Sequence, residues 1–181
     1  MRFNFKTSLA VAALLAIPLA QAANISKDEY ESGKTRVSAE YKAAKDACSS
    51  QAGNAKDVCV EEAKAHNKVA LAELKYSYSG KASDHTSLLD TKAETDYAVA
   101  KEKCDDKAGN AKSVCVKEAK AVETKAKADA RVSEKVGDAK ADAAADKRDA
   151  DYEVAAQKCD ALAGDAKSSC ISAAKAKFGK S

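Results

Sequence analysis

One pattern, Y-x6-C-x4-G-[ND]-A-K-x2-C, occurs three times in the chain, and all six cysteines belong to it. The copies run from Tyr41 to Cys59, Tyr97 to Cys115 and Tyr152 to Cys170, offset by 56 and then 55 residues. A sequence that reuses one unit in this way folds as that unit repeated, because neighbouring copies complete a core that none can build alone. The domain organisation follows: a leader over 1–22, then repeats over 23–80, 81–136 and 137–181.

Each unit reads as two helices joined by a tight turn. Gly53-Asn54, Gly109-Asn110 and Gly164-Asp165 stand between Ala/Lys-rich stretches. Glycine supplies a left-handed residue after one helix, and the Asn or Asp side chain can cap the next. Similar punctuation stands between units, at Ser79-Gly80 through Ser83-Asp84 and at Gly137-Asp138. Ser26-Lys27-Asp28-Glu29 is a capping box flanked by Ile25 and Tyr30 at hydrophobic-staple positions. The spacing predicts six helices, over 26–52, 54–78, 86–108, 110–136, 138–163 and 165–178. The fold class is therefore all-α: three tandem disulfide-stapled antiparallel helical hairpins, extended or loosely bundled.

The faces agree with that reading. Tyr and the first Cys of each unit are seven apart, with Ala44, Ala100 or Ala155 between them on one stripe. Ala55, Cys59 and Ala63 form the facing stripe, as do Ala111, Cys115 and Ala119, and Ala166, Cys170 and Ala174, with Phe178 extending the last. The six tyrosines are expected at helix seams or as partner contacts. Composition permits only a thin core: from Ala23 onward there are 36 Ala but 11 Val, 5 Leu, 2 Ile and 1 Phe. Such large apolar side chains fall below the roughly 20% at which compact folding comes into doubt. Alanine's high helix propensity offsets part of that deficit.

The cysteine pairs are centred on the turns. Cys48 and Cys59, Cys104 and Cys115, and Cys159 and Cys170 are each equidistant from their Gly-Asn or Gly-Asp step, so an antiparallel hairpin sets them opposite one another. Helices closely packed through alanine bring Cα atoms within the roughly 4.4–6.8 Å a disulfide requires. Two other uses of the same residues stay open: reduced pairs binding soft Cu(I), or reversible thiol buffering. Zinc is disfavoured, because C-x10-C lacks the short ligand spacing and only His66 and His85 could add imidazole. Glu62 and His66 read as a surface pair. Asp138, Asp142, Asp146 and Asp149 read as a solvated acidic stripe, with cation binding the weaker alternative.

Arg2 and Lys6, the apolar run from Leu9 to Leu19 and Ala20-Gln21-Ala22 have the three parts of a signal peptide, with cleavage before Ala23. The apolar run is shorter than the roughly 20 residues that span a bilayer, so stable membrane insertion is not expected. Export of a bacterial kind leads to the periplasm, or outside the cell, where six cysteines are free to oxidise. Without Arg2 and Lys6 the chain holds 29 basic and 28 acidic residues, interleaved throughout. No basic block with aromatics suggests nucleic acid, no phosphate loop or catalytic constellation stands out, and no cofactor is expected. The expected partner is an envelope protein bound through helical faces.

The string Tyr97-Ala98-Val99-Ala100-Lys101 through Cys115 resembles uncharacterised exported Ala/Lys-rich repeat proteins of proteobacteria. The likeness covers most of the chain after the leader, departing at Ser49, where the other copies have Asp105 and Asp160, and at Asp165 in place of Asn. It implies an exported helical repeat protein. The Ala/Lys/Asp/Glu composition is also similar to late-embryogenesis-abundant stress proteins and to the helical middle part of the cell-envelope protein TolA. A non-enzymatic role follows, stress- or envelope-protective or partner-binding; the alternative is a metal-binding or thiol redox-buffering protein.

Overall fold

A computed structural model describes residues 24–180. The expected leader over 1–22 and its cleavage before Ala23 lie outside the described residues. The chain is all-α, with disulfides stapling neighbouring helices, and among the described residues there is no strand. Helix α1 spans Lys27–Ala47, α2 Gly53–Ser79, α3 Ala82–Cys104, α4 Gly109–Cys159 and α5 Gly164–Phe178. A 3-10 turn over Cys48–Ser50 follows α1. Each helix packs only on its neighbours in sequence: α1 on α2, α2 on α3, α3 on α4, and α4 on α5. The result is a single meandering row, the extended form of the expected architecture.

The start of α1 is as read from the sequence. Ser26 accepts from the Glu29 backbone N–H at 3.2 Å, and Glu29 accepts from the Ser26 N–H at 2.8 Å. The carboxyl of Glu29 is held below the usual glutamate range, chiefly by the Ser26 backbone bond. Tyr30 stacks on Tyr78 of α2, ring centroids 4.7 Å apart, and so ties the first hairpin at its open end. One turn on, Gly33 is buried against Leu74: a Cβ there would stand 2.7 Å from a Leu74 methyl carbon. Its missing side chain is what lets α1 lie so close to α2.

Two expectations about helix ends are corrected. Gly53, Gly109 and Gly164 do adopt left-handed backbone, with φ of 56°, 54° and 57°. They begin the returning helices, however, and the residues before them, Ala52, Ala108 and Ala163, receive no side-chain cap. Asn54, Asn110 and Asp165 are therefore not the caps expected of them; the Asn54 side-chain amide instead donates to the Glu102 carbonyl of α3 at 3.1 Å. The first helix of each hairpin also ends close to its Cys, earlier than the spacing predicted, and α3 begins at Ala82 rather than 86. Placing a Cβ on a left-handed backbone costs roughly 1–2 kcal/mol. Gly109→Ala should accordingly lower unfolding free energy by about 1 kcal/mol, as read from a urea midpoint.

The larger correction is at Gly137. Helices expected over 110–136 and 138–163 are one continuous helix of 51 residues, about 76 Å long, and Gly137 sits inside it with ordinary helical backbone. Among the described residues five helices therefore replace six. At Gly80 the chain does turn, with φ 63° and its N–H donating to the Tyr76 carbonyl. The difference lies in what surrounds the two glycines. Beside Gly80, Tyr76 meets His85, Lys75 pairs with Asp84 at 2.7 Å, and Lys92 with Glu73 at 2.8 Å. Four of the five leucines beyond the leader, Leu71, Leu74, Leu88 and Leu89, lie in α2 and α3. Residues 132–145 offer only Val132, Val136 and alanines, too little apolar surface to hold a reversal. An interior glycine costs a helix about 1 kcal/mol against Ala, less than breaking hydrogen bonds there without compensating contacts.

Candidate functional site

The three cysteine turns are the chemically distinct places in the molecule. Cys48 is bonded to Cys59, Cys104 to Cys115 and Cys159 to Cys170, with Cα separations of 5.7, 5.8 and 5.7 Å. No cysteine is free. In every pair the first cysteine is almost wholly buried, 1% exposed, while its partner is half-buried. Backbone bonds close each turn: Gln51 N–H to the Cys48 carbonyl, Lys107 to Cys104, and Leu162 to Cys159, at 3.0–3.1 Å. The alanines nearest the turn, Ala55, Ala111 and Ala166, are exposed, whereas Ala63 and Ala174 beyond the bridge are buried. Each bridge thus fastens the turn end of its seam, and packing resumes on the far side.

Repeat differences have a physical counterpart at these turns. Lys112 pairs with Asp105 across the second turn at 3.0 Å, and Lys167 with Asp160 across the third at 2.9 Å. In the first copy Ser49 takes the acidic position, so Lys56 has no such carboxylate to meet. An acid one residue after the first Cys and a Lys three before the second was the sequence signal for this contact.

Further along the α3–α4 seam stands an ionic cluster that residue spacing did not point out. Glu123, only 5% exposed, accepts from Lys120 at 2.6 Å and pairs with Lys127 at 3.1 Å, and Lys127 also reaches Glu94 at 2.6 Å. The Lys120 ammonium stands over the Tyr97 ring, 4.9 Å from its centroid. Its hydrogen bond to Lys120, and then the one to Lys127, hold the Glu123 carboxyl below the usual glutamate range against the opposing effect of burial. A group with a lowered folded pKa contributes stability that is present above its ordinary value, about 4.3, and is lost as pH falls through the folded value. Acidification from pH 6 to pH 3 should therefore lower the melting temperature more in the wild-type chain than in Glu123→Gln, by a few degrees, as read by circular dichroism.

The remaining candidates are dispersed. Glu62, four residues from His66, is engaged instead by Lys103 of α3 at 2.7 Å, and His85 lies against Tyr76. Asp149 pairs with Lys180, while Asp138, Asp142 and Asp146 lie along the exposed middle of α4. Among the described residues no group of three or more His, Cys, Asp or Glu is arranged to hold a metal ion, and no helix is long and apolar enough to cross a membrane. The concavities are open grooves between adjacent helices, such as the one between α4 and α5 lined by Val154, Ala155, Ala174 and Phe178. No protein-family model matches the chain, nor does any curated protein or solved structure. Three disulfides are consistent with a secreted or extracellular protein.

Proposed function

We propose that this is a non-enzymatic protein of the periplasm, exported by its leader, whose long polar helical faces protect envelope components or bind an envelope protein. The observation that carries the reading is the single row of helices closed by three local disulfides. A row in which each helix touches only its neighbours presents large, charge-interleaved faces on both sides and gives little wall for a substrate pocket. The oxidised turns suit the oxidising side of a membrane. The alternative, metal binding or thiol buffering, requires the bridges to open first, because ligand thiolates form only from reduced cysteine.

One preparation tests both. Protein recovered from a periplasmic fraction should begin at Ala23, show no alkylatable thiol before reduction, and suppress aggregation of a heat-stressed envelope protein or remain bound to one. A chain that keeps Met1 in the membrane pellet would overturn the compartment. Six reactive thiols with about one or more copper or zinc ions per chain would put the metal reading in its place. Failure both to suppress aggregation and to retain any envelope protein would remove the protective and binding roles.

A further inference from the structure

On α4 the two neighbouring helices share one side. Glu123 and Ala130 are buried on the part that packs on α3, and Cys159 is buried where α5 packs. Glu123 and Cys159 are 36 residues apart, about ten turns, and so point the same way. Val132 is nine residues from Glu123, about two and a half turns, and so lies on the opposite side. That side carries Val114, Val122, Val132, Val136 and Val154, which are 43–65% exposed. They run along almost the whole helix, and all five stay exposed among the described residues.

The repeat shows what such a face is built to meet. In the α2–α3 seam, Glu73 pairs with Lys92 at 2.8 Å and Glu62 with Lys103 at 2.7 Å. The repeat offsets of 56 and 55 carry these four residues onto Asp129, Lys147, Glu118 and Lys158, keeping every charge. All four lie on α4 and are exposed. On one straight helix they cannot meet: Asp129 and Lys147 are about 27 Å apart along the axis, and Glu118 and Lys158 about 60 Å.

We infer that the valine face of α4 receives α4 of a second copy of this chain, antiparallel and crossing at Asp138. Antiparallel helices set opposite each other the residues equidistant from the crossing point. Asp129 with Lys147, Glu118 with Lys158 and Lys125 with Asp151 are each centred on 138, and so are Val122 and Val154. Every one of these charges meets its opposite, and the two-fold axis makes each contact twice. The seam repeats in trans the ion pairs that α2 and α3 make within the chain. Helix α3 occupies the far side of α4, and α5 only flanks the C-terminal end of this face, where Asp151, Val154 and Lys158 line the open groove beside it. An overlap of the two α4 helices from Lys117 to Cys159 runs about 63 Å, long enough for the roughly 1,200–2,000 Å² of a standard interface.

Sedimentation of the oxidised chain from about 5 to about 200 µM should show a dimer that weakens as salt is raised. Lys147→Glu with Lys158→Glu should raise its dissociation constant by about tenfold or more, and adding Glu118→Lys and Asp129→Lys should restore it. These side chains are exposed, and unchanged far-UV circular dichroism verifies that the variants fold. A bismaleimide should link Val122→Cys, Val154→Cys chains between molecules, the native cysteines being oxidised. The inference is overturned by a monomer at the highest concentration, or by a dimer indifferent to the charge reversals. Cross-linking of 122 to 154 within one chain would also overturn it, since α4 would then bend at Gly137 and cover its own face.

Discussion

Reducing the three bridges is expected to lower the melting temperature by well over about 10 °C and to release the last helix first. Closing a loop of this size contributes about 2–3 kcal/mol per bridge, and one kcal/mol moves the midpoint of a chain this long by about 2–4 °C. The effect should not be shared evenly. Helix α5 has 15 residues, touches only α4 and buries only Ala174. Its other ties are the half-buried Ile171 and Phe178 and the exposed ion pairs Lys167 to Asp160 and Lys180 to Asp149, which contribute little in water. Helix α1 has the Tyr30–Tyr78 stack, the Gly33–Leu74 contact and buried Val37 besides its bridge. Hydrogen exchange is the measurement. Cys159→Ser with Cys170→Ser should abolish protection in α5, while Cys48→Ser with Cys59→Ser should leave α1 largely protected. Equal loss in the two variants, or coincident melting of oxidised and reduced protein, would show that the bridges are not what holds the hairpins.

The second large effect is expected at Leu88. It is 6% exposed, and in a row this thin it is among the few large apolar side chains that are buried at all. Truncating a buried leucine to Ala costs about 2–5 kcal/mol, the sum of lost transfer energy and the cavity left behind. Total stability here rests on few such groups, so Leu88→Ala should separate α2 from α3 within the ordinary temperature range. Opening should expose the Gly80 turn to proteolysis, detectable as cleavage near residues 79–82 while the bridged α3–α4 turn stays intact. Leu71, 37% exposed on α2, should cost less than about 1 kcal/mol when changed to Ala. If both variants melt like the wild-type chain, the α2–α3 seam is held by its ion pairs instead.

What the sequence determined by itself was whatever depends on residues close together in the chain. The capping box at Ser26 and Glu29, the left-handed glycines and the hairpin sense of each Cys–Cys unit are local, and each follows from the chemistry of a few adjacent positions. The cysteine pairing belongs with them, because two residues equidistant from a tight turn meet whatever the rest of the chain does. The tertiary structure decided the features in which the same local signal has two outcomes. Gly80 and Gly137 occupy nearly equivalent repeat positions, but the chain reverses only where leucines, tyrosines and the Glu73–Lys92 and Lys75–Asp84 pairs can meet across the turn. At Gly137 alanine's helix propensity outweighs the glycine penalty, and one helix runs through. Asn54 was likewise free to cap a helix or to bond a neighbour, and the nearness of the Glu102 carbonyl on α3 took it. Propensity and capping are worth about 1 kcal/mol at a time, so contacts between distant residues set the outcome wherever such local preferences nearly balance.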